Sequence, residues 1–180
     1  MHCRSLEEQK KRWFFRENEK ASGNPQDTMG AEELRLLDNA EFALELNCTS
    51  LYEEYLCQPL QAFLASYWQK NYLTHSYFAG RIPDRFYIGN QFCHNLFPIE
   101  EQLFSIMDKV YSEGSEITLV FSYIREFMLL SVGKLLEKVD NWCCIHGVNV
   151  EIVVNDWAMV EMLCGKTSRL HPVLGTLLNK

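Results

Sequence analysis

Two polar residues, one of which could carry out acid-base chemistry, directly follow a short apolar run in this chain. Asn155 and Asp156 come after Val150–Val154, and Trp157 follows them. A carboxylate at such a position can act as a general base, an amide beside it can hold a substrate, and an indole can stack on a ring. We therefore predict Asp156 and Asn155 as catalytic residues. The alternative, that one of them only caps a following helix, stays open.

Four further residues at the ends of apolar runs offer amide, thiol and hydroxyl groups. We predict these as cofactor-binding residues: Asn90, Cys93, Ser122 and Asn179. Cys93 stands next to His94, and a thiol with an imidazole can bind a metal or an iron-sulfur cluster. However, two ligands are fewer than the three or four that a metal usually takes, so the metal and the cofactor stay unspecified. In the simpler alternative, Asn90 caps its loop, Cys93 is buried and His94 is solvated.

The elements that would position these residues are strands of a parallel sheet. Apolar runs of this length, rich in Val, Ile and Phe and separated by helical segments, are typical of strands that are buried on both faces. The runs are 85–88, 117–121, 150–154 and 173–178. Helices are indicated between the first three runs by Pro98 at a start and Gly114 at an end, with a shorter one ending at Gly165. Ligand sites in such sheets lie beyond the carboxyl ends of the strands, where the polar residues follow.

The expected fold class is α/β, either a partial (half) β/α barrel or an open parallel sheet, with a helical N-terminal region. With 180 residues, the chain is shorter than a complete eight-stranded barrel of about 250 residues. We divide it into a flexible charged segment, 1–30, and a single α/β domain, 31–180. Within that domain, 31–84 is predicted to be mostly helical and 85–180 to follow the order βαβαβαβ.

The region before the first run contains three local signals. Residues 41–46 alternate between polar and apolar side chains and predict a strand. Ser50 and Glu53 fit a capping box at the start of a helix that extends towards Tyr72. Pro59 predicts a kink or a boundary between two helices.

Composition argues against several classes of function. The formal net charge of −7 and the pI of about 5.3 disfavour binding to nucleic acid. The absence of an apolar stretch of about 18 residues disfavours a membrane protein, and the charged start predicts a cytoplasmic one. Seven cysteines, an odd number without C-x-x-C spacing, predict neither a disulfide framework nor a zinc ribbon.

Three sequence segments resemble the first half of the barrels of the collagenase-like peptidase family, a bacterial group that also contains ubiquinone-hydroxylation proteins. The segments are FYIGNQFC at 86–93, VVNDW at 153–157 and LGTLLNK at 174–180. The resemblance covers about 85–180 and implies a (β/α) barrel, often with a cysteine-bound iron-sulfur cluster, that acts on proteins, RNA or a quinone precursor. This chain has only half of such a barrel, and its cysteines match no four-cysteine set.

Two functions are consistent with these features. In the first, the chain is the half-barrel subunit of a barrel enzyme, with a cofactor- or substrate-binding site at the C-terminal ends of the strands. In the second, it is a non-catalytic protein-interaction or regulatory subunit that uses the same half-barrel. Whether it is an enzyme stays open. Because the run 173–178 has no following helix to cover it, we expect a homo- or hetero-oligomer that forms through the exposed sheet edge.

Overall fold

The computed structural model describes residues 40–164 and 169–178. The chain divides into two compact units. The larger unit contains Glu41–Leu64 and Ile82–Lys180, and the smaller one contains Met1–Ala40 and Ala65–Arg81. All the strands belong to the larger unit, which therefore contains the strand ends predicted as a site.

Five parallel strands form one sheet in the larger unit, in the order of the chain. They are β1 (Ala43–Leu46), β2 (Arg85–Gly89), β3 (Glu116–Val120), β4 (Val150–Val154) and β5 (Leu170–Leu174). Within the described residues the sheet is open, with β1 and β5 at its edges. The prediction of an α/β fold with a parallel sheet is therefore confirmed, and so is the strand in 41–46.

Five helices and two short 3-10 turns connect the strands. The helices are α1 (Thr49–Cys57), α2 (Leu60–Lys70), α3 (Glu100–Ser112), α4 (Leu129–His146) and α5 (Trp157–Leu163), and the 3-10 turns are His94–Leu96 and Glu126–Met128. The boundary expected at Pro59 is confirmed, since α1 ends at Cys57 and α2 begins at Leu60. In the described part of the chain, no helix is both long and apolar enough to cross a membrane.

Two sequence predictions about element starts were wrong. β5 spans Leu170–Leu174, so it begins three residues before the predicted run 173–178 and ends four residues before the end of that run. The polar His171 and the imino acid Pro172 hid its start from an apolar-run criterion. α1 begins at Thr49 after an extended Cys48, without a side-chain cap. The Ser50 hydroxyl lies 3.3 Å from the Cys48 sulfur, so the expected capping box at Ser50 is not formed.

The core of the larger unit lies on the helix-covered face of the sheet. Alternate strand residues point to this face and are buried: Leu44, Leu46, Phe86, Ile88, Ile117, Leu119 and Ile152. The ring of Tyr55 in α1 packs on Phe86 at a centroid distance of 5.2 Å and on Phe63 at 5.2 Å. Tyr55 and Phe63 are thus part of the core of this unit.

α3 also secures the end of α1 through a lysine. Lys109 Nζ donates to the carbonyl oxygens of Tyr55 at 2.6 Å and Gln58 at 2.5 Å. Tyr55 belongs to the last turn of α1 and Gln58 follows the helix directly, a place where backbone carbonyls lack partners within the helix. The Tyr55 hydroxyl in turn donates to Glu113, the residue after α3.

A charged cluster ties the strands together at their N-terminal ends. Arg85 lies at the start of β2 and forms ion pairs with Glu41, Glu116 and Glu151, the last at 2.9 Å. Burial acts to lower the pKa of Arg85, but the Glu41 hydrogen bond and the charges of Glu151 and Glu116 outweigh it, so the pKa is raised. The cluster is at the edge of the sheet opposite to the predicted site.

The smaller unit has no strand in its described residues and is organised by turns and aromatic contacts. The rings of Tyr67 and Trp68 meet edge to face at 5.7 Å. The Arg81 guanidinium lies 5.6 Å from the centre of the Phe78 ring. No residue of the predicted site belongs to this unit.

Candidate functional site at the strand ends

The predicted site residues that the structure describes follow the C-terminal ends of parallel strands and therefore lie along one edge of the sheet. Gly89 pairs with Val120, and Val120 pairs with Val153, so β2, β3 and β4 end at nearly the same level. We call the described residues that follow the strands at this edge the rim: 47–48, 90–97, 121–128, 155–157 and 175–178. Of the predicted site residues, Asn179 lies outside the described part of the chain.

Asn155 is buried and connects the ends of three neighbouring strands. Its Nδ2 donates to the carbonyl oxygen of Phe121 at 2.7 Å, after β3. Its Oδ1 accepts from the backbone N–H of Leu177 at 3.3 Å, after β5. The backbone of Gly175 packs so closely that a Cβ atom there would lie 2.2 Å from Asn155 Oδ1. The amide of Asn155 therefore holds the rim together.

Asp156 uses both carboxylate oxygens on backbone amides. Oδ1 accepts from the N–H of Met159 at 2.9 Å and caps the start of α5. Oδ2 accepts from the N–H of Ile124 at 2.9 Å in the loop after β3. The side chain is 6% exposed. Asp156 therefore caps α5, and its carboxylate is turned towards the backbone and away from solvent.

Asn90 has the same kind of role at the end of β2. Its Oδ1 accepts from the N–H groups of Phe92 and Cys93, both at 2.9 Å. Its Nδ2 donates to the carbonyl oxygen of Asn47 at 3.2 Å, after β1. Such an Asx turn shapes the loop and connects it to the neighbouring strand.

The two other predicted cofactor-binding residues that the structure describes lie at the rim but contribute less. Ser122 is buried and its hydroxyl donates to the carbonyl oxygen of Tyr123 over a long 3.4 Å. Cys93 is half-buried and has a free thiol. Neither of these two side chains takes part in a cluster of polar groups.

The loops after β2 and β5 meet across the rim, a contact that the sequence analysis missed. Thr176 Oγ1 donates to Gln91 Oε1 at 2.8 Å. The two residues are far apart in sequence, and both were overlooked because neither side chain is characteristic of catalysis. The hydrogen bond shows that the strand ends do converge.

Of the nine side chains that the described rim exposes, four are aromatic, and the others are Asn95, Arg125, Glu126, Thr176 and Leu177. Phe92, Tyr123, Phe127 and Trp157 follow β2, β3 and β4, and each is between 63% and 75% exposed. Leu177 follows β5 and is 37% exposed. We call these five residues the aromatic rim. Only Trp157 was considered from sequence; the available signal was an aromatic residue within a few positions of each polar strand end.

The described residues do not fit a cysteine-bound cluster. Among them, no group of three or more His, Cys, Asp or Glu side chains lies close enough together to hold a metal ion. All six described cysteines are free thiols. Cys93 is therefore a candidate ligand without the four-cysteine set that a cluster needs.

The helical layer contains a cavity that is separate from the rim. It has a volume of about 500 Å³ and lies between α3 and α4, lined by residues that include Phe104, Lys134, Trp142 and Ile145. Trp142 Nε1 donates to Asp108 Oδ1 at 2.8 Å across this helix pair. The cavity contains none of the predicted site residues.

Comparisons of the chain with models of protein families, with curated proteins and with solved structures found no match.

Proposed function

We propose that this chain is a non-catalytic interaction subunit whose aromatic rim binds a second copy of the chain. One observation carries the proposal: Asn90, Asn155 and Asp156 hold backbone groups at the rim, whereas the large apolar side chains offered to solvent there are four aromatic residues and Leu177. Aromatic residues dominate the binding energy of protein interfaces, and a cluster of exposed ones on a soluble protein marks an interaction site.

The burial of the polar groups supports this function over a catalytic one. A general base must reach the proton that it abstracts, directly or through a water molecule. The Asp156 carboxylate is buried and bonded to two backbone amides, and Asn155 is bonded on both sides of its amide. These contacts are those of residues that shape a surface.

The local charge supports a second copy as the partner. The chain carries a formal net charge of −7, so most faces of two copies would repel. Between Tyr123 and Phe127, the exposed charged residues are Arg125 and Glu126, which cancel. In a two-fold symmetric contact, the same patch meets itself, and Arg125 of each copy faces Glu126 of the other.

The chemistry of β5 supports contact through the rim and disfavours strand pairing at the sheet edge. The N–H of Gly175 donates to the carbonyl oxygen of Val154 in β4, and the carbonyl oxygen of Arg169 accepts from the N–H of Val150 in β4. The odd-numbered residues of β5 therefore point their backbone groups towards β4. Pro172 therefore occupies an outward position and has no N–H to offer there. Proline at such a position is a common way to blunt an edge strand.

The test is size-exclusion chromatography with light scattering at micromolar concentration. We expect a dimer for the wild type and a monomer for Phe127→Ser and Trp157→Ser. Ile145→Ser is the matched control, because Ile145 is 72% exposed but lies at the end of α4, outside the rim. A monomeric wild type, or a dimer that Ile145→Ser disrupts and the rim variants do not, would contradict the proposal.

A further inference from the structure

We propose that Cys48 and Cys93 form a dithiol site at the rim that a small-molecule disulfide oxidises to an intrachain disulfide. Cys48 follows β1 and Cys93 follows β2, and these strands are neighbours. Both side chains are half-buried, and both are free thiols. The inference does not rest on the proposed association through the aromatic rim.

One hydrogen-bonded path between the two cysteines runs through Asn90. Its Nδ2 donates to the carbonyl oxygen of Asn47, the residue before Cys48, at 3.2 Å. Its Oδ1 accepts from the N–H of Cys93 at 2.9 Å. The Asn90 side chain thus bridges the carbonyl oxygen of Asn47 and the N–H of Cys93. These two backbone groups are therefore separated by no more than one amide group and two hydrogen bonds.

A second path runs through Tyr52 and is independent of Asn90. The Tyr52 hydroxyl donates to the carbonyl oxygen of Leu96 at 2.8 Å, and the N–H of Leu96 donates to the carbonyl oxygen of Cys93 at 3.1 Å. Burial raises the pKa of Tyr52, and the nearby Cys48 raises it further. Tyr52 is therefore close both to Cys48 and to the turn that contains Cys93.

Oxidation at this site would proceed by two thiol-disulfide exchanges. The thiolate of one cysteine attacks a sulfur of the small disulfide, forms a mixed disulfide and releases one small thiol. The thiolate of the other cysteine then attacks the protein sulfur of that mixed disulfide and releases the second small thiol. Two electrons pass from the cysteines to the small disulfide, and the two thiol protons go to solvent or to the released thiolates.

The reaction would change the rim, because a disulfide holds the Cα atoms of its cysteines about 4.4–6.8 Å apart. The segments after β1 and β2 would be fixed to each other covalently in addition to the Asn90 hydrogen bonds. Phe92 of the aromatic rim precedes Cys93 directly, so the redox state would restrict its loop.

The remaining described cysteines are suitable controls. Cys57, Cys144 and Cys164 are exposed. Cys143 is buried, and burial raises the pKa of its thiol to about 12, with a smaller contribution from Asp140. None of them has another described cysteine across a hydrogen-bonded path of the kind that joins Cys48 and Cys93.

The test is peptide mapping by mass spectrometry after the folded protein is treated with oxidised glutathione. In the wild type, we expect a pair of peptides linked through Cys48 and Cys93. This linked pair should have lost two hydrogens and should carry no glutathione at these positions. In Cys48→Ser, we expect Cys93 to carry glutathione, and the reverse in Cys93→Ser. Cys57→Ser, the matched control, should leave the linked pair unchanged.

A second probe reports on the distance between the thiols. Phenylarsine oxide binds two neighbouring thiols at once, so the wild type should bind it at the Cys48–Cys93 pair, and either single serine variant should lose that binding. Separate glutathione adducts on both cysteines of the wild type, or no reaction at either, would overturn the proposal. Circular dichroism of each variant establishes that the fold is retained.

Discussion

At the level of single residues, Asp156 and Asn155 bind backbone groups at the end of β4. Each lies at a strand end, where a catalytic residue of a parallel sheet would lie. Each also satisfies backbone groups that would otherwise be buried without partners, and leaving one such group unsatisfied costs about 1–3 kcal/mol. Their contribution to stability is therefore measurable, whatever the chain binds.

We predict that Asp156→Asn lowers the free energy of unfolding by about 1–3 kcal/mol, because the new amide places an N–H₂ group against a backbone N–H. Urea denaturation measures the change. Glu161→Gln is the control, since this carboxylate is exposed on the same helix, and a change within about 0.5 kcal/mol is expected. Wild-type stability of Asp156→Asn would argue against the structural role and revive the catalytic one.

A second prediction concerns the close approach of Gly175 to Asn155. Gly175→Ala should destabilise the protein by about 1–3 kcal/mol, because its Cβ would meet a buried side chain. Adding Asn155→Ala should reduce the cost of Gly175→Ala, since it removes the clashing amide. A cost for Gly175→Ala that is equal with and without Asn155→Ala, measured by denaturation in a double-mutant cycle, would contradict this explanation.

At the level of elements, the contact between α3 and α1 depends on Lys109. Its ammonium group satisfies two carbonyls at the end of α1, and hydrogen bonds of a charged group contribute about 1.5–3 kcal/mol. We predict that Lys109→Met lowers stability by about that amount. Thermal denaturation followed by circular dichroism is the measurement.

The control for that prediction is Lys138→Met, which removes an ion pair with Glu100. Both side chains of this pair are about half exposed, at 54% and 51%, so the expected loss is at most about 1 kcal/mol. Equal effects of the two substitutions would show that the carbonyls at the end of α1 are satisfied in another way.

At the level of the whole molecule, buried phenol and thiol groups make the stability depend on pH in the alkaline range. Burial raises the pKa values of Tyr52, Tyr55 and Cys143, which therefore keep their protons in the folded state. In the unfolded chain, the thiol loses its proton near pH 8.5 and the phenols near pH 10. The folded state then binds more protons, so stability is fully present below about pH 8.5 and falls as pH rises.

We predict that the free energy of unfolding decreases above about pH 9, with a slope of up to about 1.4 kcal/mol per pH unit for each group. Urea denaturation over this range measures the slope. Tyr55→Phe should make the slope shallower, although it also removes the bond to Glu113. Tyr111→Phe, at a phenol that is 43% exposed, should leave the slope unchanged. A flat or rising profile would contradict the assignment.

The order of the elements and the edge of the sheet where polar residues collect could be predicted from local sequence patterns. Both are local properties: apolar periodicity predicts strands and helices, and alternation of the two predicts a parallel sheet. The start of β5 was not predicted, because His171 and Pro172 interrupt the apolar pattern. The absence of a side-chain cap on α1 was not predicted, because the Ser50 hydroxyl contacts the Cys48 sulfur instead.

The hydrogen-bond partners of the rim residues depend on contacts between segments that are distant in sequence. Asn155 bonds to Phe121, 34 residues away, and Thr176 bonds to Gln91, 85 residues away. Neither pairing leaves a trace in local sequence, because any strand end offers amides and carbonyls to a polar side chain. Whether Asp156 faces solvent or a backbone amide is set by the path of the loop after β3. A sequence pattern thus locates a site, and the long-range contacts assign its groups to structure or to binding.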